Sequence, residues 1–144
     1  ILGPKGRRRT GELMPKEGSG SRLQLGEQGE RLAEAFLVRR GAQVLERNWR
    51  ARPTHHGVRG ELDLIVQCEA VLVGVEVKTR RGTYYGHPFE AVDEIRLRRL
   101  HLLLAAWAGE RGWTAARRVD VIAVLLLGGP EHERVRLEHR AGLH

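Results

Sequence analysis

Lysine is scarce in this chain, with three against 22 arginines in 144 residues. Cysteine is scarcer: Cys68 stands alone, so no internal disulfide forms. With nothing that reads as a signal peptide, the expected compartment is the reducing cytoplasm. Long apolar runs are missing as well. The run Leu102 to Ala108 is too short to cross a bilayer, which excludes a helical membrane anchor. Acidic residues are outnumbered, and the net charge of +7 favours a polyanionic partner. Residues 1–21 hold +3 of that charge and +4 lies in the rest. This first segment is rich in Gly, Pro and charge and has almost nothing to bury. It is expected to be a disordered basic tail, with residues 22–144 forming one domain and Met14, the only Met, a candidate start.

The most informative stretch runs from Gly60 to Lys78. Glu61–Val66 and Val71–Lys78 alternate at the two-residue period of strands, and 67–70 between them reads as a hairpin turn. Leu62, Leu64 and Val66 fall on one face, with Val71, Val73, Val75 and Val77 on the matching face of the partner. The other face carries Glu61, Asp63, Glu76 and Lys78. Pairing Val66 with Val71 sets Asp63 across from Gly74, with Glu76 on its diagonal, so the two carboxylates converge beside an ammonium. Gly74 then leaves room above Asp63 for an ion or a phosphate. Oxygen ligands hold Mg²⁺, and a metal with a lysine offsets charge developing on a phosphate. Lys78 is also the only lysine after residue 21. A compact ammonium next to a phosphate acts differently from a guanidinium. The alternative is a Glu76–Lys78 surface ion pair of little energetic weight.

These residues carry a family resemblance. Gly60-Glu61-Leu62-Asp63 followed by Glu76-Val77-Lys78-Thr79-Arg80 resembles the Asp…Glu-X-Lys core of the PD-(D/E)XK nucleases. More narrowly, the chain resembles the YraN-type family of small bacterial proteins related to archaeal Holliday-junction resolvases. Gly29-Glu30, Glu46-Arg47-Asn48-Trp49-Arg50, Glu90-Ala91-Val92 and Val119-Asp120-Val121 extend the likeness from about Leu25 to the C-terminus. The resemblance implies a Mg²⁺-dependent endonuclease, with Mn²⁺ able to substitute, acting on DNA in preference to RNA. It makes Asp63, Glu76 and Lys78 the catalytic residues and Glu30, Asp63 and Glu76 the metal ligands, helped by the Val77 carbonyl. Without the resemblance, Glu30 is an ordinary first-turn glutamate favoured by the helix dipole. Glu61 is a candidate second-metal ligand or an exposed strand-end acid. A different reading keeps the fold and charge in a nucleic-acid-binding module that cuts nothing.

The remaining segments frame this core. Leu25–Arg40 reads as a helix, and Gln43–Arg50 as a strand with Val44, Leu45 and Trp49 inward. Residues 52–57 read as a loop whose adjacent His55 and His56 point apart, as neighbours on an extended chain do. Residues 79–86 read as a loop, in which Arg80 and Arg81 with Tyr84 and Tyr85 suit phosphate contact and base stacking or simply face solvent. Pro88–Ala108 reads as a helix with Val92, Ile95, Leu100, Leu103 and Trp107 inward. Arg96 and Arg99 fall inside that face and must pair with acids or reach a cleft, where they are candidate nucleic-acid contacts. At Arg96 the resembling family usually carries lysine. Residues 118–127 form a nearly continuous apolar strand, broken by an Asp120 expected to pair structurally with one of the inward arginines. Residues 135–139 alternate as a last strand. The expected architecture is α/β, a mixed central sheet flanked by helices, restriction-endonuclease-like. A symmetric four-way junction requires a homodimer, and no dimer stripe stands out.

Overall fold

The computed structural model describes residues 19–82, 86–129 and 131–144, with side chains from residue 22 onward. Helix α1 spans Ser19–Arg39 and is followed by β1 (Gln43–Arg50) and a single-turn helix α2 (Pro53–His56). Strands β2 (Glu61–Cys68) and β3 (Val71–Arg81) lead to a 3₁₀ turn (Pro88–Ala91), α3 (Glu94–Glu110), β4 (Arg117–Leu127) and β5 (Arg134–Arg140). The five strands form one sheet in chain order. β3 and β4 run parallel, joined across α3, and every other pair is antiparallel. The mixed sheet flanked by helices agrees with the expected architecture.

Each face of the sheet has its own core. Ala33 and Leu37 of α1 pack on Leu64, Val66, Val73 and Val75. On the other face Leu100, Leu104 and Trp107 of α3 pack on Leu62, Ile65 and Leu72. Being covered on both faces, β3 and β4 can be apolar at consecutive positions rather than alternating. Among the described residues no helix is long and apolar enough to cross a membrane.

Several boundaries differ from the sequence reading. Helix α1 begins at Ser19, six residues before Leu25 and inside the segment expected as tail, while residues 1–18 lie outside the described residues. β3 continues through Thr79, Arg80 and Arg81, each paired with β4, so these are strand residues and not a loop. Tyr84 and Tyr85 lie outside the described residues. The helix expected from Pro88 is broken at Val92, and Asp93 restarts it by accepting the Arg96 N–H at 2.8 Å. Ile95 faces solvent, 74% exposed, instead of the core, because five residues of helix place it about 140° around α3 from the buried Leu100.

The hairpin is two residues tighter than expected. Cys68 pairs with Val71 and Ile65 with Gly74, leaving only Glu69 and Ala70 in the turn. Glu69 enters it at a φ of 54°, and Gln67 Nε2 donates to the Glu69 carbonyl at 2.9 Å. A shift of two preserves every face, which is why alternation alone did not separate the two registers. It moves Asp63 from the diagonal to the position across from Glu76. Gly74 therefore leaves no space for an ion, since a Cβ there would meet Leu104 Cδ1 at 3.3 Å and Leu62 Cδ2 at 3.5 Å.

Gly29 sets how closely α1 approaches the sheet. A Cβ on it would lie 2.9 Å from Thr79 Cβ and 3.0 Å from Thr79 Cγ2, with Thr79 Oγ1 closer still. Gly26, one turn earlier, has nothing within 4 Å of such a Cβ. Thermal or urea unfolding of Gly26→Ala should therefore show a gain approaching 1 kcal/mol, the ordinary helix preference for alanine. Gly29→Ala should lose about 1–3 kcal/mol through overpacking. Adding Thr79→Ala should return part of that loss as a non-additive coupling.

Candidate functional site

The site forms where β2 leaves β3. The paired ladder ends at Leu64 and Val75, and beyond it the Asp63 carboxylate takes the place of a backbone acceptor: Val77 N–H donates to Asp63 Oδ2 at 2.8 Å. β1 makes a matching departure. Asn48 adopts a φ of 50°, a left-handed conformation that asparagine tolerates better than most residues. The twist carries Trp49 and its partner Leu62 to the α3 face, while Leu64, two residues on, stays on the α1 face. Leu62, Leu64 and Val66 thus do not share one face, and the reversal falls at Asn48 and Asp63.

Three carboxylates converge there. Asp63 and Glu30 line a cleft of about 800 Å³ between α1 and the β1–β2 edge, together with Asn48. Glu76, on the other side of Asp63, is 1% exposed. Burial, then the charge of Glu76, and more weakly that of Glu30, push the Asp63 carboxyl up to about 8 against the Val77 N–H. Each carboxylate has one oxygen held by a donor. Asn48 Nδ2 holds Glu30 Oε1 at 3.0 Å, Val77 N–H holds Asp63 Oδ2, and Arg96 holds Glu76 Oε2 through Nη2 at 2.7 Å and Nε at 3.0 Å. Lys78 Nζ lies 3.4 Å from that same Oε2. Glu76 Oε1 is buried with no N–H donor, and the neighbouring Asp63 carboxyl, when protonated, hydrogen-bonds to Glu76. Unsatisfied buried oxygens are rare in folded chains. Asp63 and Glu76, with Glu30 near Asp63, offer hard oxygen ligands of the kind a divalent cation takes, whereas the three ligand atoms lying within 4.8 Å of one another among the described residues belong to His55, His56 and Glu110.

The expected site residues therefore fall into two groups. Glu30, Asp63, Glu76, Lys78 and Arg96 come together. Arg99 is exposed, with its stem beside Gly60, and Arg81 Nη1 donates to Glu133 Oε2 at 2.7 Å on the β4–β5 turn. Arg80 is half-buried near the end of β3. Glu61 pairs with Arg50 at 3.0 Å, the strand-end arrangement. Asn48 was missed as a site residue. Its signal was an asparagine inside a strand pattern, a position where left-handed backbone is worth suspecting.

His55 and His56 do not point apart, because α2 coils them. Both Nε2 atoms lie 3.1 Å from Glu110 Oε2. The Arg52 N–H donates to His56 Nδ1 at 2.8 Å, so the neutral His56 ring keeps its proton on Nε2 and gives it to Glu110. That tautomer makes the group a clamp of α2 on α3 and takes His56 Nε2 away from metal ligation.

Comparison with known proteins follows the same residues. The sequence profile of Uncharacterised protein family UPF0102 matches residues 29–124, from Gly29 past the Asp63–Lys78 hairpin into β4. A UPF0102 protein of Renibacterium salmoninarum is 44% identical over 124 residues, covering 85% of this chain and 98% of its own. One from Rhodococcus opacus is 43% identical over 119 residues, covering 81% and 92%. One from Mycobacterium ulcerans is 50% identical over 109 residues, covering 72% and 83%. The chain belongs to the UPF0102 family, the YraN-type family that its sequence resembles.

Proposed function

We propose that this protein is a metal-dependent endonuclease that hydrolyses phosphodiester bonds in DNA. The observation that supports this best is the buried Asp63–Glu76 carboxyl pair, with Glu30 near Asp63 and the Lys78 ammonium 3.4 Å from Glu76 Oε2. In this reading the three acids hold Mg²⁺ or Mn²⁺. The bound cation lowers the pKa of a water and offsets charge on the scissile phosphate. Asp63 and Glu76 fix the reacting phosphate's distance from Lys78, which orients the attacking water and balances charge on the phosphate. Arg80, Arg81 and Arg99 contact the DNA backbone, which sets position and not sequence. Branched DNA is the expected substrate shape, in line with the resolvase-like resemblance, and a symmetric junction calls for two copies.

A labelled panel of duplex, single strand, flap and four-way junction, incubated with Mg²⁺ or Mn²⁺, tests the reading. The expected result is cation-dependent cutting that falls at least about 100-fold in Asp63→Ala and in Lys78→Ala, the loss of a few kcal/mol of transition-state stabilisation. DNA binding in both variants should persist and weaken steeply with salt. Wild-type protein that binds DNA in this salt-sensitive way with no cation-dependent cutting would leave a binding module on this fold.

A further inference from the structure

We infer that Arg96 is a positioning residue that makes Glu76 bind a cation through Oε1 alone, biasing the site toward small cations over Ca²⁺. This rests on the metal-dependent reading above. The asymmetry of Glu76 is the observation behind it. Two guanidinium N–H groups of Arg96 converge on Oε2, at 3.0 Å and 2.7 Å, and the Lys78 ammonium stands 3.4 Å from the same atom. Oε1 is buried and receives neither cation, leaving it to the neighbouring Asp63 carboxyl or to a bound cation. The glutamate side chain is 2% exposed, so neither oxygen turns freely to water. Arg96 is itself anchored, because its own N–H is taken by the Asp93 cap at 2.8 Å in the first turn of α3.

This arrangement has a consequence for cation choice. Ca²⁺ takes six to eight oxygens and commonly both oxygens of one carboxylate, whereas Mg²⁺ takes fewer, at shorter range and with strict geometry. With Oε2 occupied by donors, Glu76 offers one oxygen, and the bidentate contact that favours Ca²⁺ is closed. Lysine also donates to a single oxygen, so Arg96→Lys keeps the device. Methionine matches the length and donates nothing, leaving Oε2 to Lys78 alone.

The test is calorimetric titration of Mn²⁺ and of Ca²⁺ into chelator-treated full-length protein, with no substrate present. Removing the guanidinium charge strengthens the binding of both dications alike, so their affinity ratio isolates geometry. Arg96→Met should lower the Mn²⁺-to-Ca²⁺ ratio by about tenfold, the lower end of what outer residues contribute at metal sites. Arg96→Gln, with one weak neutral donor, should lower it less, and it serves if Arg96→Met does not fold. Arg96→Lys should keep the wild-type ratio. An unchanged ratio in Arg96→Met or, if that fails to fold, in Arg96→Gln, with binding abolished in Asp63→Ala, would overturn the role of Arg96 alone. Wild-type protein that binds neither cation, or binds them equally well in Asp63→Ala, would overturn this inference and the metal-dependent reading together.

Discussion

Asp63→Asn is expected to make the chelator-treated protein more stable at pH 8 while abolishing cation-dependent cleavage. The Asp63 carboxyl titrates near 8 in the fold because it is buried next to Glu76 and, more distantly, Glu30. An ordinary aspartate titrates at about 3.9. The folded state therefore holds a proton that the unfolded chain has released, and stability falls as pH rises between those values. The full shift corresponds to roughly 6 kcal/mol, and an expected effect of about 2–4 kcal/mol allows for the solvent that reaches this half-buried group. Asparagine imitates the protonated acid. Its carbonyl accepts the Val77 N–H, and its amide has Glu76 Oε1 within the same cluster as an acceptor. Urea unfolding of both proteins at pH 5 and pH 8 checks this, with the gap wide at pH 8 and narrow at pH 5. Saturating Mg²⁺ should raise the wild-type midpoint at pH 8 and leave Asp63→Asn where it was. A variant no more stable than wild type at pH 8 would mean that the three acids do not repel one another as their positions imply.

Asp120→Ala should destabilise the fold by about 2–4 kcal/mol, through groups unrelated to cleavage. Asp120 is fully buried on β4. Arg118 donates to it at 3.0 Å and 3.3 Å, the His139 ring on β5 lies 2.8 Å away, and the Gly142 N–H donates at 2.9 Å. One carboxylate thus ties the edge strand and the C-terminal turn to the centre of the sheet. Losing it leaves these donors facing a methyl group, although Arg118 and His139 are half-exposed and regain some water. Burial by itself raises the Asp120 pKa, yet His139, Arg118 and the Gly142 N–H outweigh it and hold the carboxyl below its ordinary value. Its contribution is therefore complete above about pH 4 and is lost as pH falls through the lower folded value. Wild type should lose stability in acid, and Asp120→Ala should lose less over the same range. The two aspartates impose opposite pH slopes because one is crowded by acids and the other is surrounded by donors.

Much of this was legible without coordinates. The two-residue period of 61–66 and 71–78 determined a hairpin, because a strand sends successive side chains to opposite sides. Burial on both faces of β4 followed from its nearly unbroken apolar run, whereas the β3 sequence reads as alternating. The single lysine after the first segment marked the strand position that stands beside Glu76. That buried Asp120 needs a cationic partner was readable, but the partner is Arg118 on its own strand and not an inward arginine of α3.

Tertiary structure alone decided how the acids meet. Alternation is blind to a register shift of two, so only the Glu69–Ala70 turn put Asp63 across from Glu76. Periodicity also assumes an even strand, and the left-handed Asn48 breaks that evenness, turning Trp49 and Leu62 to one face and leaving Leu64 on the other. Arg96 was legible as inward, but only the packing of α3 on β3 showed that its partner is Glu76. Turn length and the conformation of a single residue are not encoded in alternation, and the meeting of β2, β3 and α3 at Asp63, Glu76 and Arg96 depends on contacts between segments distant in sequence.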